Sequence, residues 1–200
     1  MLPPSEDSPS TTIADSGMQS EYSPDERGLL LKLAHQAIGS RLQGNEILPK
    51  SYSEHLSEPH AVFTTLYLGR KLRGCVGYPT PVTPLFRAVI ETAISAAFDD
   101  PRFPPLTLAE AAQLRVSLSV LSPLVPIAAE EVEVGRHGLI ISYDGRRGLL
   151  LPQVPVEHGW DRITFLEQTC RKAGLPLDAW QHAAKIEAFT AEVFADGSEP

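Results

Sequence analysis

The sequence predicts an α+β fold, and three observations support this class. Apolar residues recur at helical spacing near the N-terminus and again in later segments. Short stretches of alternating apolar and polar residues, typical of half-buried strands, lie between them. Helices and strands follow one another without the regular β-α-β rhythm of a doubly wound sheet. The length of 200 residues, of which 42% are hydrophobic, suits one domain.

Both ends of the chain are predicted to lie outside that domain. Residues 1–22 are rich in Ser, Pro, Asp and Glu and poor in large apolar side chains, so they cannot bury enough surface to become ordered. We therefore expect a disordered tail over 1–22, a domain over 23–195 and a short tail over 196–200.

The domain is predicted to begin with a helix. Ser23 is a favourable N-cap, Pro24 suits the first helical position, and Glu26 completes a capping box. Gly44 marks the predicted end of the helix. The apolar residues that follow the cap at helical spacing are Leu30, Leu33, Ala34, Ala37 and Ile38.

The next segments predict a hairpin, a helix and an irregular loop. HAVFTTLYLGRKLRGCVG is rich in β-branched and aromatic residues in its first half, which predicts two strands with a tight turn near Gly69 and Arg70. TPLFRAVIETAISAAF predicts a helix with Thr83 as its cap and Pro84 at its first position. DDPRFPPLT contains three prolines and cannot be regular.

The second half of the chain continues the mixture. A capping box from Thr107 to Glu110 predicts a short helix, and the alternation in LRVSLSVLS predicts a half-buried strand. HGLIISYDGRRGLLLP predicts two strands around a turn at Asp144 and Gly145. WDRITFLEQTCRKAGLP predicts a helix that ends at Gly174. EVEV is interpreted as a strand with solvated glutamates, and AKIEAFTAEVFA as one final strand.

Charge and composition argue against several classes of function. The net charge is -8, the pI is about 5.2 and the basic residues are scattered, so nucleic acid is not an expected partner. No apolar run reaches the length of a membrane span and no secretory pattern is present, which predicts a cytoplasmic protein without membrane association. No glycine-rich loop resembles a nucleotide-binding motif, and neither a cofactor nor a metal site is predicted.

The stretch KLRGCVGYPTPVTP places Cys75 between two glycines and shortly after an arginine. If this stretch is a strand, its side chains alternate between two faces. Arg73, Cys75 and Gly77 would then share one face, while Leu72 and Val76 would point into the core.

Two interpretations of Cys75 follow. A guanidinium from Arg73 beside the thiol favours the thiolate, which is the reactive form, and Gly74 and Gly77 leave room for a ligand. Alternatively, Cys75 only packs, because free cysteines are among the most buried residue types and strand glycines often mark bulges. The other cysteine, Cys170, lies on the apolar stripe of its helix and is interpreted as core.

Two further groups are candidates for the same site. Asp100 and Arg102 lie in a proline-bounded loop, where Arg102 could bind an anion or stabilise a thiolate; the alternative is that the two residues pair locally. His137, in GRHGL, could act as the general base of a Cys–His arrangement, or could simply be solvated or bonded to backbone.

Several segments, in order, resemble the AMMECR domain family. LRGCVG is similar to the LRGCIG signature of that family, with Val76 as a mild replacement for isoleucine. The resemblance covers about residues 23–195. The further segments that match are DPRFPPLT, SVLSPLVPI, VGRHGLII, GLLLPQV, GWDRITFLEQTCRKAGLP and FTAEVF.

The resemblance implies a two-lobed domain around a mixed, partly antiparallel sheet flanked by helices. It implies no defined reaction, but it marks the six-residue signature as an active or binding site. Bacterial members are named protein A of the AmmeMemoRadiSam system. That name implies a functional link to a Memo-type protein, which resembles metal-dependent dioxygenases, and to a radical SAM protein.

Two hypotheses of function result. In the first, the protein is an enzyme of a modification pathway, with Cys75 as nucleophile and His137 as proton shuttle. In the second, it is a non-catalytic module whose cleft holds a small molecule or a partner protein. The residues predicted to bind are Arg73, Gly74, Gly77, Asp100 and Arg102.

Overall fold

The computed structural model describes residues 20–45, 47 and 52–197, and it confirms the predicted α+β class. In these residues, eight strands form two four-stranded sheets in which neighbouring strands are antiparallel. Each sheet is the centre of one lobe. Of the helices in this part of the chain, none is both long and apolar enough to cross a membrane.

The elements alternate irregularly along the chain. In chain order they are α1 (Pro24–Leu42), α2 (Glu54–Ser57), β1 (Ala61–Leu68), β2 (Lys71–Tyr78), α3 (Leu85–Phe98), α4 (Leu108–Ala111), β3 (Leu114–Leu121), β4 (Val125–Pro126), a 3-10 helix (Ala129–Glu131), β5 (Gly138–Tyr143), β6 (Arg146–Leu150), α5 (Gln153–His158), α6 (Arg162–Lys172), a second 3-10 helix (Ala179–Gln181), β7 (Lys185–Phe189) and β8 (Ala191–Ala195). The first sheet has the order β2-β1-β3-β8, and the second sheet has the order β4-β7-β5-β6.

Helices α1 and α3 cover one face of the first sheet. The predicted capping box starts α1: the Glu26 amide donates to Ser23 Oγ at 3.3 Å, and the Ser23 amide donates to Glu26 Oε2 at 3.0 Å. The apolar stripe that follows is buried as predicted, and it packs with α3 and the inward residues of β1 and β3 into the main core. This burial is the main source of stability for the lobe.

The β1–β2 hairpin carries the cysteine segment. Strand pairing passes from Tyr67–Leu72 directly to Leu66–Gly74, which leaves Arg73 as the extra residue of a β-bulge. The bulge breaks the predicted alternation on its N-terminal side. Leu72, which was predicted to be core, is 40% exposed, whereas Arg73 is only 7% exposed.

On the side of the helices, Gly74 lies directly against the backbone of α3. A Cβ atom added at Gly74 would overlap the carbonyl group of Ala96. The strand and the helix therefore approach more closely than any side chain at this position would allow.

The second lobe is built on α6. The Thr164 amide donates to Asp161 Oδ1 at 2.8 Å, which caps the start of the helix. Phe165, Leu166 and Cys170 are buried against the second sheet, so Cys170 is a core residue as predicted.

The two lobes meet on the face of the first sheet that points away from α1 and α3, which we call the outer face. Ala61 and Leu121 of the first sheet pack there against Ile140 and Phe189 of the second sheet. Because these residues lie at one end of β1 and β3, the second lobe covers that end of the outer face.

Three predicted elements differ from the structure. The final strand is two strands, because the chain crosses between sheets at Thr190, whose amide donates to Ser122 Oγ at 2.9 Å. The EVEV segment begins in a 3-10 helix, closed by a 3.0 Å hydrogen bond from the Ala128 amide to Glu131 Oε2. Helix α3 has Pro84 as its N-cap, without a side-chain cap.

The first lobe extends beyond both predicted boundaries. Tyr22 is 1% exposed and belongs to the main core. Asp196 Oδ2 accepts a 2.7 Å hydrogen bond from the Val116 amide. The remaining parts of the predicted tails, residues 1–19 and 198–200, lie outside the described residues.

We expect Gly74→Ala to destabilise the protein by about 2 kcal/mol or more, because the added methyl group would force β2 and α3 apart. Urea unfolding monitored by circular dichroism measures this change. Gly39→Ala is the matched control: Gly39 lies within α1, and a Cβ atom there would meet nothing within 4 Å. This control should stabilise the protein by about 0.5–1 kcal/mol. Equal effects at the two positions would contradict the packing described.

Candidate functional site

Cys75 lies on β2, at the open edge of the first sheet. Its cross-strand partner on β1 is Thr65, and Cys75 Sγ lies 3.3 Å from Thr65 Oγ1. Both residues are half-buried. Cys75 points to the outer face, because its neighbours Gly74 and Val76 face the helices. The thiol is therefore held in place without being enclosed by the core.

The backbone of Cys75 is bound by side chains where a further strand would otherwise lie. The Cys75 amide donates to Asp100 Oδ2 at 2.9 Å, and Arg102 Nη2 donates to the Cys75 carbonyl oxygen at 3.3 Å. These backbone groups point away from β1, as expected for a non-hydrogen-bonded pair in an antiparallel ladder. Asp100 and Arg102 thus bind the backbone amide and carbonyl groups that Cys75 presents at the edge of the sheet. We call this arrangement the edge clamp.

Asp100 and Arg102 also pair with each other in a bidentate geometry. Arg102 Nε donates to Asp100 Oδ1 at 3.0 Å, and Arg102 Nη2 donates to Asp100 Oδ2 at 2.7 Å. The hydrogen bonds from Arg102 hold the pKa of Asp100 far below its usual range, with the Cys75 amide contributing and burial opposing. The same pairing raises the pKa of Arg102. Asp100 is 5% exposed, so it remains a buried, satisfied carboxylate at neutral pH.

Arg73 does not lie beside the thiol, so the predicted pairing of Arg73 with Cys75 is wrong. The bulge turns its side chain toward α4, where Nε donates to Glu110 Oε1 at 2.8 Å. Nη2 donates to the Pro104 carbonyl oxygen at 2.8 Å and to Glu110 Oε2 at 3.2 Å. Arg73 therefore holds the loop that carries Asp100 and Arg102 in place.

Phe103 lies between the two arginines of this region. The ring centroid is 5.9 Å from Arg73 Cζ and 5.5 Å from Arg102 Cζ, within the range of cation–π contacts. The loop is thus held at three successive points, by Asp100–Arg102, by Phe103 and by the Pro104 carbonyl group. Such anchoring gives the edge clamp a defined position relative to β2.

Gly74 and Gly77 serve protein packing and not the ligand space predicted for them. Gly74 accommodates the carbonyl group of Ala96, as described above. A Cβ atom added at Gly77 would overlap the ring of Phe63 and crowd the carbonyl oxygen of Val62. Both glycines therefore allow close packing on either side of Cys75.

His137 lies in the second lobe, immediately before β5. Its Nδ1 accepts a hydrogen bond from the Glu133 amide at 3.1 Å. It borders a cavity of about 250 Å³ whose other lining residues include Val125 and Ala188. Among the described residues, the side chains that bond to Cys75 are those of Thr65, Asp100 and Arg102, so the structure does not add His137 to this group.

Thr65 and Glu110 are parts of the site that the sequence pattern does not reveal. The register of a two-residue hairpin could have suggested a threonine opposite Cys75, but the bulge shifts that register by one residue. Glu110 was recognised only as a capping residue. Within the described residues, no group of three or more His, Cys, Asp or Glu side chains is arranged to hold a metal ion.

Comparison with known proteins agrees with this architecture. The sequence profile of the AMMECR1 family matches residues 31–194. The chain belongs to the AMMECR1 family. This AMMECR1-family protein is 48% identical over 187 residues to a protein of Pyrococcus horikoshii, an alignment that covers 86% of this chain and 91% of the relative. A protein of Methanopyrus kandleri is 44% identical over 184 residues, covering 86% of this chain and 89% of the relative.

The fold of this AMMECR1-family protein is also found in a solved structure. The crystal structure of an uncharacterised protein from Pyrococcus horikoshii matches it with a TM-score of 0.76 and 47% sequence identity. The match covers 84% of this chain and 90% of that chain. This fold is therefore shared with that relative.

We expect Glu110→Gln to lower the free energy of unfolding by about 2 kcal/mol at pH 7, because it leaves the buried Arg73 without its counter-ion. The hydrogen bond from Arg73 lowers the pKa of Glu110 from 4.5 to about 2, so the stabilisation is complete above pH 4.5 and is lost as the pH falls toward 2. The difference between the two proteins should therefore be less than half as large at about pH 3.

Urea unfolding at both pH values measures this difference. The control is Glu130→Gln, at an exposed glutamate whose backbone carbonyl, and not its carboxylate, accepts a hydrogen bond from Arg162. A stability loss for Glu110→Gln that is unchanged by pH would show that charge pairing with Arg73 is not its cause.

Proposed function

We propose that this protein is a thiol-dependent enzyme of a small-molecule modification pathway, with Cys75 as its nucleophile. The observation that carries the proposal is the edge clamp. Asp100 and Arg102 fix the backbone of Cys75, while Thr65 holds its half-exposed sulfur on the outer face. A nucleophile must be both accessible and precisely positioned, and this arrangement provides both properties.

Arg102 is the residue we assign to thiol activation, in place of Arg73. A guanidinium beside a thiol favours the thiolate. The side chain of Arg102 is 54% exposed and bonds to the Cys75 carbonyl oxygen, so its cationic group lies next to the nucleophile and remains open to an anionic part of a substrate. Asp100 opposes this stabilisation of the thiolate, because its negative charge lies close to Cys75.

His137 has a weaker claim to the role of general base. In a neutral imidazole, one nitrogen carries the proton and the other accepts hydrogen bonds. Because Nδ1 accepts from the Glu133 amide, Nε2 carries the proton, and the free nitrogen is a donor. Base catalysis by His137 would therefore require the Glu133 contact to open.

The pathway and the partners follow from the resemblance to protein A of the AmmeMemoRadiSam system. We propose that this protein acts with a Memo-type protein and a radical SAM protein, on a small-molecule ligand and without nucleic acid or membrane. The segments quoted for the resemblance support this proposal. Its link to the site is Cys75, which lies at the centre of the signature.

A second candidate function is a non-catalytic module that holds a partner or ligand on the outer face. It is favoured by the hydrogen-bond partner of Cys75 Sγ, which is the hydroxyl group of Thr65 and not an imidazole or a carboxylate. A hydroxyl group can position a thiol, but it cannot remove the thiol proton at neutral pH.

We expect Cys75 to react with iodoacetamide in the folded protein at neutral pH, much faster than the buried Cys170. Arg102→Ala should slow the reaction of Cys75 by about fivefold, as expected for loss of a cation near a solvent-accessible thiolate. Asp100→Asn should accelerate it, because the opposing charge is removed. Peptide mass spectrometry at timed intervals measures the two cysteines separately.

Arg136→Ala is the matched control for this series. Arg136 is exposed, pairs with Glu133 and belongs to the second lobe, so its replacement should leave the rate at Cys75 unchanged. If Cys75 reacts only when the protein unfolds, at the same rate as Cys170, the nucleophile assignment is wrong.

The binding-module candidate predicts a different result with Cys75→Ser. A protein that uses its outer face only for binding should still capture a co-expressed Memo-type protein after this near-isosteric change, because the edge clamp acts on backbone groups. Affinity pull-down with the unmodified chain and the variant measures the captured amount. If the unmodified chain captures the Memo-type protein and Cys75→Ser does not, a binding module that makes no use of the thiol is excluded. If neither protein captures it, the proposed partnership is wrong.

A further inference from the structure

The outer face beside Cys75 carries a row of polar side chains set by strand register. Thr65 lies opposite Cys75 on one side and opposite Ser117 of β3 on the other. Tyr67 is two residues further along β1 and therefore points to the same face. It lies diagonal to Cys75, and at that separation an aromatic side chain can reach its neighbour.

Tyr67 is a hydrogen-bond donor in this setting. It is half-buried, and its cross-strand partner on β3 is Arg115. Burial raises the pKa of Tyr67, the nearby Cys75 and Glu157 raise it further, and Arg115 acts in the opposite direction. The phenol therefore keeps its proton at neutral pH and can donate a hydrogen bond to a ligand beside Cys75.

Several polar groups around the thiol already have partners. Thr65 Oγ1 contacts Cys75 Sγ, Arg102 is engaged by Asp100, and Arg115 Nη2 donates to the Asp196 carbonyl oxygen. The hydroxyl group of Tyr67, in contrast, makes no side-chain hydrogen bond within the described part of the chain. It is therefore a donor on this face that is free to bind a ligand.

We propose that Tyr67 is a further catalytic residue of the Cys75 site, and that the site takes acyl donors, meaning esters or thioesters, whose carbonyl oxygen is bound by the Tyr67 hydroxyl group. This inference rests on the proposed function of Cys75. It adds a class of substrate and a second residue that touches the reacting atoms.

The chemical step is an acyl transfer to sulfur. The thiol releases its proton to water, and the thiolate adds to the carbonyl carbon, forming the carbon–sulfur bond. The π-electron pair moves to the carbonyl oxygen, which becomes an oxyanion and accepts the hydrogen bond from Tyr67. The pair then returns, the alkoxide or thiolate leaves with its own bonding pair and takes a proton from water, and a thioester remains on Cys75.

Two reagents that differ in one respect test this assignment. p-Nitrophenyl acetate acylates a thiol through an oxyanion, whereas iodoacetamide alkylates it by displacement of iodide without one. We expect Tyr67→Phe to slow acetylation of Cys75 by about tenfold or more and to leave alkylation of Cys75 within about twofold. Peptide mass spectrometry at timed intervals gives both rates for each cysteine, and circular dichroism confirms that the variant is folded.

Tyr78→Phe is the matched control. Tyr78 lies on β2 opposite the buried Val62, so it belongs to the helix side of the sheet, where its hydroxyl group donates to Glu91 Oε2 at 2.9 Å. It should change neither rate. If Tyr67→Phe slows both reactions equally, or slows neither, Tyr67 does not bind the oxyanion and the inference is wrong. If Cys75 of the unmodified protein reacts with neither reagent faster than Cys170 does, the proposed function itself fails, and the inference fails with it.

Discussion

The hydrogen bond from the Cys75 amide to the buried carboxylate of Asp100 is the contact on which the rest of the site depends. An edge strand presents unpaired backbone groups, and here side chains satisfy them at one residue. Asp100 can remain buried and charged because Arg102 binds both of its oxygens. The loop that bears this pair is anchored in turn by Arg73, whose partner is Glu110. A chain of hydrogen bonds thus connects α4, through the loop, to the backbone of Cys75.

Most residues of the LRGCVG segment have a structural role. Arg73 anchors the loop, Gly74 and Gly77 allow close packing, and Val76 contributes to the main core. Each of these four residues is required by neighbouring protein groups. The side chains of Leu72 and Cys75 instead lie on the outer face, and Cys75 is the one of the two that can react. The proposed chemistry therefore rests on the sulfur atom of Cys75.

Local pattern predicted much of the fold, and the misses have identifiable causes. The caps at Ser23 and Thr107, the hairpin turn and the inward face of β3 depend on neighbouring residues, so they were predictable. Without a bulge, the hairpin turn would place Thr64 opposite Cys75; the extra residue places Thr65 there. The extra residue, Arg73, binds Glu110, which lies 37 residues away in the sequence. Strand periodicity cannot reveal such a distant contact. The sequence also does not predict that the chain passes from the second sheet to the first at Thr190. Alternation of apolar and polar residues indicates a strand, but not which strand lies beside it.

Amide hydrogen exchange at Cys75, measured by NMR, tests the edge clamp most directly. The Cys75 amide faces away from β1 on an edge strand, so without the clamp it would exchange as quickly as an open edge amide. If Asp100 binds it as described, this amide should be protected as strongly as amides inside the β1–β2 ladder, and replacing Arg73 with Lys should reduce its protection selectively. Rapid exchange at Cys75 in the unmodified protein would contradict the account.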